Sequence, residues 1–450
     1  DEDEDEDEDA DDNSDDDNNI NLVARENLTG LRVVRAYNVE DYQEAKFTKA
    51  NKDLTETQLF TNRVMAFMMP LMNTVLNGLM LAVYWIGAYL IDAAGLKDKL
   101  TVFSNMVVFS NYSVQVIMSF LLMSMVFVLW PRADVSAQRI MEVLDTEPIV
   151  ENGTKTAADV AKTGQRGTVE FRNVSFAYPD SREAMLEGIN FTAEQGQTVA
   201  FIGSTGSGKS SLINLVPRFY DTSQGQVLVD GVDVRDYDLK ALRDKIGYVP
   251  QQSVLFKGTV ASNVSYGDRP GESADVEMAD TSTPAGRKRE AALIAAGKAA
   301  EGADMPAEQL NRIKAAADVA QASEFVERMG GGYSAAIAQG GSNVSGGQKQ
   351  RLSIARAVYR HPEILIFDDS FSALDFKTDR EVRDALAREA KDSTKLIVAQ
   401  RIGTIMNADR IVVLDDGKVV GQGTHKELLD NCDVYRQIAE SQLSQSELTA

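Results

Sequence analysis

The stretch FIGSTGSGKSSL, residues Phe201–Leu212, decides the fold of the second half of the chain. It follows an apolar run, TVAFI, with the composition of a buried strand, and it opens SSLINLV, which has the composition of a helix. Glycines at this spacing between a strand and a helix predict a phosphate-binding loop, because they let backbone amides close around an anion at the helix N-terminus. The sequence therefore predicts an α/β nucleotide-binding domain.

Each residue type in this loop suits one part of a bound nucleotide. Glycines let the backbone close around phosphate oxygens, the Lys209 ammonium neutralises their charge, and the Ser210 hydroxyl is a ligand for Mg²⁺. We therefore expect ATP and Mg²⁺ as cofactors. The residues expected to contact the nucleotide are Gly203, Ser204, Thr205, Gly206, Ser207, Gly208, Lys209, Ser210 and Ser211.

Two further motifs follow along the chain. EILIFDD (Glu363–Asp369) is an apolar strand that ends in two carboxylates, and Asp368 is placed to hold Mg²⁺ directly or through water. VSGGQ (Val344–Gln348) has a serine and paired glycines at a helix start, which is a second candidate anion-binding N-terminus.

The order phosphate loop, VPQQ, VSGGQ, LIFDD, SALD is similar to that of the nucleotide-binding domain of ABC transporters. The resemblance implies a P-loop α/β fold with a parallel core sheet, an antiparallel edge that begins at GTVEFRNVSFAY, and an inserted helical subdomain. The match extends from about Asn21 to the C-terminus, and SGGQ at this spacing is close to diagnostic of the family.

Two long uncharged runs precede this domain. Residues 64–91 and 100–131 contain no charged side chain, and each exceeds the roughly 20 residues that cross a hydrocarbon core. The connection between them is short, so they are expected to form an antiparallel hairpin in the lipid bilayer. More Lys and Arg residues flank the outer ends than the connection, which places both outer ends in the cytoplasm.

With this hairpin upstream, the chain resembles half of an ABC exporter. LTGLRVVRAYNVEDY (Leu28–Tyr42) resembles the cytoplasmic coupling loop before the family's fifth transmembrane helix. The two spans would then be the fifth and sixth, and we expect the first four to be missing from this chain. The implied location is the cell membrane, multi-pass, with the nucleotide-binding domain in the cytoplasm.

The family resemblance assigns further residues one by one. Tyr178 would stack on adenine, and Gln251 would ligate Mg²⁺ and sense the membrane domain. Asp375 would cross the dimer interface. In the signature segment, Ser345, Gly346 and Gly347 would contact the γ-phosphate held by the opposite domain, and Gln348 is a further expected site residue.

The chain departs from the family pattern at two catalytic positions. Where the family has a glutamate that polarises water, this chain has Asp369, and where the family has a histidine on a later strand, it has Gln400. The missing methylene withdraws the carboxylate by roughly 1 Å, a shift that costs on the order of 10² in rate. Glutamine donates a hydrogen bond but supplies neither a charge nor a proton.

An intact signature beside a degenerate catalytic pair resembles the degenerate half of a heterodimeric ABC exporter. The expected partner is a second, different exporter half, and the transported substrate is not identified by any motif; no nucleic-acid partner is expected. Two alternatives remain open at this point: a slow homodimeric ATPase exporter that uses Asp369 as its base, and a regulatory ATP-binding subunit without transport.

Composition divides the chain further. Among its 450 residues are 68 acidic and 46 basic ones, and the first seventeen residues are so acidic that we expect residues 1–19 to be a disordered segment. The other expected divisions are a partial transmembrane domain, 20–145, a linker, 146–166, and a nucleotide-binding domain, 167–445. An exposed helical insertion is expected at about 268–321.

Overall fold

The computed structural model describes residues 5–267, apart from residues 180 and 182, and residues 306–443. The chain divides into two compact units, Asp1–Glu147 and Pro148–Ala450.

The first unit consists, in its described residues, of three long helices: α1 (Asp5–Tyr37), α2 (Glu40–Ala93) and α3 (Lys99–Leu144). Helices α2 and α3 are 54 and 46 residues long, and each contains a window apolar enough to cross a membrane. At most 11% of either window is buried within the chain, unlike the core helix of a soluble protein. The apolar faces therefore lack protein cover, and this exposure suits helices whose surroundings are lipid.

Both helices extend beyond the predicted spans. Helix α2 begins well before Val64, and α3 continues past Pro131. The two helices pack closely at Gly87, because a Cβ atom there would lie 2.2 Å from Met106 Sδ. Ser110 Oγ also donates a hydrogen bond of 3.3 Å to Met80 Sδ. A small residue that lets two helices approach is a common packing device in membranes.

The coupling segment, Leu28–Tyr42, is helical on both sides of a short turn rather than an extended loop. Helix α1 ends at Tyr37, Asn38 has a left-handed φ of 54°, and α2 begins at Glu40. Asparagine tolerates this conformation better than most residues. An ion pair of 2.6 Å between Lys46 Nζ and Glu26 Oε2 joins the two helices beyond the turn.

The acidic N-terminus corrects one expectation. We expected residues 1–19 to be disordered, but helix α1 begins at Asp5, and residues 1–4 lie outside the described part of the chain. Helix propagation costs far less than nucleation, so a helix formed in the apolar residues beyond Asn19 extends toward its N-terminus. Acidic residues near a helix N-terminus are also favoured by the helix dipole.

The second unit is an α/β domain. Its described helices are α4 (Ala157–Ala161), α5 (Lys209–Asn214), α6 (Leu239–Asp244), α7 (Val260–Val264), α8 (Ala307–Val319), α9 (Ser323–Arg328), α10 (Gly346–Tyr359), α11 (Phe376–Glu389), α12 (Ile402–Ile405), α13 (His425–Asn431) and α14 (Asp433–Gln442). Its described strands are β1 (Val169–Phe176), β2 (Leu186–Ala193), β3 (Thr198–Gly203), β4 (Gln224–Val229), β5 (Val232–Asp233), β6 (Ile246–Val249), β7 (Gly258–Thr259), β8 (Ala336–Ile337), β9 (Ile364–Asp368), β10 (Thr394–Val398), β11 (Arg410–Asp415) and β12 (Lys418–Gly423).

In the described residues, the strands form the predicted parallel core with a separate antiparallel sheet. The core sheet has the order β12-β11-β3-β10-β9-β6, and every neighbouring pair in it is parallel except β11 with β12. The second sheet, β2-β1-β4-β5, is antiparallel, and β7 and β8 form a small ribbon. The carboxyl ends of β3, β9 and β10 meet at one edge, which is where ligands bind in open α/β sheets.

Alternate side chains of the core strands supply two hydrophobic cores. On β3, Ala200 and Ile202 pack with the helical subdomain, whereas Val199 and Phe201 pack with the antiparallel sheet. This follows from the two-residue period of a strand, and it explains why strands covered on both faces have nearly continuous apolar sequences.

Two expected boundaries are corrected by burial. The expected linker, 146–166, is partly folded into the domain: Val160 on α4 is fully buried, and Gly153 N donates a 2.9 Å hydrogen bond to Tyr237 O. A solvated linker would not bury an apolar side chain such as that of Val160.

The expected insertion, 268–321, is corrected at its C-terminal end, and residues 268–305 lie outside the described part of the chain. Helix α8 packs against α10 and buries Ile313, Ala316 and Ala317 in the core of the helical subdomain. Apolar residues at positions 313, 316 and 317 form one helical face, so this helix is part of the core rather than exposed decoration.

Candidate nucleotide site

The phosphate loop (Gly203–Ser211) joins the carboxyl end of β3 to the start of α5. A Cβ atom at Gly203 would lie 2.0 Å from the Leu414 carbonyl oxygen, so no larger residue fits there. Gly208 has a left-handed φ of 90°, and a Cβ atom at this position would lie 2.7 Å from Leu186 Cδ2. These two glycines let the backbone approach its neighbours closely and turn tightly between β3 and α5.

Lys209 is a buried cation at the start of α5. Its Nζ donates hydrogen bonds of 2.9 Å to Gly203 O, 2.6 Å to Ser204 O and 3.3 Å to Ser207 Oγ. Burial lowers the pKa of Lys209, and the carboxylates of Asp369 and Asp368 oppose that shift. No described residue forms an ion pair with this ammonium, so its charge suits an anionic ligand such as a nucleotide phosphate.

Asp368 and Ser210 place two oxygen ligands side by side. Ser210 Oγ donates a 2.8 Å hydrogen bond to Asp368 Oδ1 at the carboxyl end of β9. Burial raises the pKa of Asp368, while Ser210 and Lys209 act in the opposite direction. A hydroxyl and a single carboxylate form a donor set that suits Mg²⁺, which usually keeps several waters and binds substrate phosphates as well.

The degenerate pair of the sequence is in direct contact. Gln400 Nε2 donates a hydrogen bond of 2.9 Å to Asp369 Oδ2. Asp369 has a left-handed φ of 44°, and the residue is only 8% exposed. Burial, and then the neighbouring charge of Asp368, raise the pKa of Asp369. One oxygen of the second carboxylate is therefore engaged by an amide donor.

Tyr178 lies against the phosphate loop. Its hydroxyl is hydrogen-bonded to Ser211 Oγ at 2.8 Å, and its ring makes edge-on contacts with Phe176 and Tyr220 at centroid distances of 4.8 and 5.2 Å. Sequence reasoning selected Tyr178 and Ser211 but missed Tyr220, which shapes the same aromatic cluster from beyond α5.

The signature segment (Val344–Gln348) forms a capped helix start. Ser345 is the N-cap of α10, where its Oγ accepts from Gln348 N, and Gln348 Oε1 accepts from Ser345 N at 2.9 Å. Gly346 has open space where a side chain would extend. In the described part of the chain, no hydrogen bond joins this segment to the phosphate loop.

Gln251 and Asp375 also lie apart from the contacts around Lys209. Gln251 is exposed in the turn after β6. Asp375 is the exposed N-cap of α11, and hydrogen bonds from Thr378 lower its pKa. The chain by itself thus brings together the residues around Lys209, but not the signature segment, Gln251 or Asp375.

A link missed by sequence reasoning connects the signature helix to the segment that carries Gln251. Gln350, buried on α10, accepts a 2.5 Å hydrogen bond from Ser253 Oγ and donates one of 3.5 Å to Pro250 O. The available signal was a glutamine directly before RLSIARA, on the same helical face as Ile354 and Ala357, since a buried amide needs partners.

Comparisons with known proteins agree with this architecture. The family model described as ABC transporter matches residues 186–372, and the one described as ABC transporter transmembrane region matches residues 10–127. An uncharacterized ABC transporter ATP-binding protein of Mycobacterium tuberculosis is 39% identical over 426 residues, which are 94% of this chain and 65% of that protein. An ATP-dependent lipid A-core flippase of Aromatoleum aromaticum is 36% identical over 407 residues, 90% of this chain and 60% of that protein.

A solved structure is also similar. The structure of a bacterial Atm1-family ABC exporter with ATP bound superposes with a TM-score of 0.75 at 26% sequence identity, covering 97% of this chain and 70% of that one. The chain spans about 65% of the length of the mycobacterial relative. Its motif order, its fold and these similarities agree, and the chain belongs to the ABC transporter family.

Proposed function

We propose that this chain is an ATP-binding and permease subunit of an ABC exporter in the cell membrane, with its nucleotide-binding domain in the cytoplasm. Its family membership and its two apolar helices support this assignment. The complex would couple ATP binding and hydrolysis to export of a substrate across the bilayer.

Within its own site, the chain's residues bind and orient the nucleotide. The amides of the phosphate loop and Lys209 would hold the phosphates, and Tyr178 would contact the adenine. Ser210 and Asp368 would hold Mg²⁺, with Gln251 as a further ligand. A bound magnesium ion would supply charge neutralisation between phosphate oxygens.

We propose further that this site retains ATP with little turnover. The observation that carries the proposal is the hydrogen bond from Gln400 Nε2 to Asp369 Oδ2. This hydrogen bond holds the carboxylate of Asp369, whose side chain is one methylene shorter than that of glutamate. The Gln400 amide itself supplies neither a charge nor a second proton acceptor. A general base must lie within hydrogen-bond reach of the proton it takes. The short side chain of Asp369 and its hydrogen bond from Gln400 both hold its carboxylate back from that position.

The signature segment supports a role on a partner chain. Ser345, the N-cap of α10, is exposed, and the space beside Gly346 is open. A helix N-terminus with free space suits an approaching phosphate. We therefore propose a heterodimer in which Ser345, Gly346 and Gly347 complete a competent site on a different exporter half, and in which Asp375 crosses the interface.

A second candidate function is a slow homodimeric exporter that uses Asp369 as its own base. The raised pKa of Asp369 favours it, because a base works best when its pKa approaches the operating pH. The two candidates differ in which chain performs hydrolysis.

Restoring the family residues separates them. In the purified complex, Asp369→Glu combined with Gln400→His is expected to change steady-state ATPase by less than about tenfold, well below the 10²–10⁴ that a general base contributes. The reason is that the partner's site already turns over. The measurement is phosphate release at saturating ATP, with Lys377→Ala on the exposed face of α11 as the control. A gain of a hundredfold or more would identify this chain's site as the limiting one and favour the homodimer.

A further inference from the structure

The last described helix ends against the strand-end segment that carries Gln400. Gln442 Nε2 donates a hydrogen bond of 2.8 Å to Gln400 O, and Gln442 Oε1 accepts one of 2.9 Å from Ile402 N. One side-chain amide thus bridges the backbone on both sides of Arg401. We call these two contacts the Gln442 bridge.

The bridge satisfies a backbone donor that has no other partner within its own helix. Ile402 is the first residue of α12, and the first amides of a helix lack an intrahelical acceptor. Its side chain is fully buried, so this part of the chain is packed into the domain. The Gln442 side chain takes the place of a capping group for α12.

The helix that carries Gln442 is itself anchored. Tyr435 and Ala439 on α14 are fully buried, and the Tyr435 hydroxyl is 2.6 Å from His425 Nδ1. Helix α14 packs on β3, β11 and α12. Gln442 therefore approaches the segment from a fixed point rather than from a loose terminus.

The bridged backbone sets the direction of two functional side chains. Gln400 reaches Asp369, as described above, and Arg401 donates a hydrogen bond of 3.2 Å to Ser372 O. The Arg401 guanidinium also lies 5.2 Å from the centre of the Phe376 ring, next to Asp375. A rotation of residues 400–402 would move both contacts together.

We propose that Gln442 is a positioning residue for the nucleotide site: it fixes the backbone of Gln400 and thereby the amide that holds Asp369. The functional consequence rests on the proposed function, in which this chain's site retains ATP. Gln442 belongs to none of the motifs of the site and lies 42 positions beyond Gln400.

The bridge is tested first without nucleotide. In the purified complex, hydrogen–deuterium exchange of the peptide covering residues 399–405 is expected to speed up roughly tenfold at the Ile402 amide in Gln442→Ala, because its acceptor is lost. Gln442→Glu keeps an acceptor for Ile402 N and loses the donor to Gln400 O, so its exchange is expected to remain slow. Unchanged exchange in Gln442→Ala would overturn the bridge.

The functional consequence is tested by ATP retention on this chain. The complex is loaded with radiolabelled azido-ATP, chased with excess ATP and irradiated at intervals, and the two chains are then separated. Release from this chain is expected to be about fivefold faster in Gln442→Ala, which corresponds to the net loss of one to two hydrogen bonds. Gln442→Glu is expected to give an intermediate rate.

Two controls separate positioning from general weakening of the helix. Tyr435→Phe, on the same helix as Gln442, loses the contact with His425 on α13 but leaves the Gln442 bridge, and Ser441→Ala alters only an exposed neighbour of Gln442. Both are expected to retain ATP like the unmodified chain at a temperature where all variants are folded. Equal loss of retention in Tyr435→Phe and Gln442→Ala would overturn the positioning role.

The failure of this inference differs from the failure of the proposed function. If this chain hydrolyses its own ATP, the label on it converts to azido-ADP before release, whatever Gln442 does. If the site retains ATP but Gln442→Ala leaves the release rate unchanged, only the positioning role is wrong.

Discussion

Replacing Ser345 with arginine is expected to lower the steady-state ATPase of the purified complex by about 10²–10³-fold, the typical cost of losing a preorganised donor to a developing anion. The substitution places a bulky cation at the N-terminus of α10, where the helix start is exposed. On the heterodimer proposal this surface caps the partner's ATP, so closure would be blocked and hydrolysis on the other chain would stop.

The control for Ser345→Arg is Glu327→Arg, which adds the same cation to the helical subdomain at an exposed position. It is expected to leave turnover nearly unchanged. Because Ser345 also caps α10, its loss costs on the order of 1 kcal/mol of stability, and the thermal midpoint of each variant is measured beside its ATPase. Unimpaired turnover in a folded Ser345→Arg complex would contradict the role of the signature segment on the partner.

Replacing Lys209 with alanine is expected to reduce azido-ATP photolabelling of this chain to background. The buried ammonium is the one described cation of the phosphate loop, and the loop carbonyls and hydroxyl around it would otherwise face phosphate oxygens of like charge. A charge-assisted hydrogen bond to phosphate is roughly twice as strong as a neutral one, so its removal costs more than an ordinary contact.

Lys240→Ala, on the exposed face of α6, is the matched control and is expected to label like the unmodified chain. Labelling of the partner chain serves as an internal standard for the assembly of the complex. Equal labelling of this chain before and after Lys209→Ala would refute its assignment as the phosphate-binding lysine.

The parts of the fold that the sequence predicted are those with local signals. The phosphate loop needs glycine at positions 203 and 208 because of close backbone approach and a left-handed φ. The core strands are recognisable because both faces are covered, which makes them continuously apolar. The membrane helices are recognisable by the length of their uncharged runs.

The parts that the sequence did not predict depend on distant contacts. Helix α8 belongs to the core because α10 packs against it, and nothing in its alanine-rich sequence predicts that contact. The Gln442 bridge joins residues 42 positions apart, and a glutamine near a chain end carries no local signal of its role. Cooperativity made the acidic N-terminus helical against its composition.

The central claim is that this chain's own site binds ATP while hydrolysis occurs on its partner. The most direct measurement is the ATPase of the purified complex with Asp369→Asn, which keeps an oxygen for Gln400 Nε2 but removes the carboxylate. The account predicts turnover within about threefold of the unmodified complex, since the loss of a working general base would instead cost about 10²–10⁴-fold. A loss of that size in a folded, ATP-retaining complex would contradict the account and place the catalytic carboxylate on this chain.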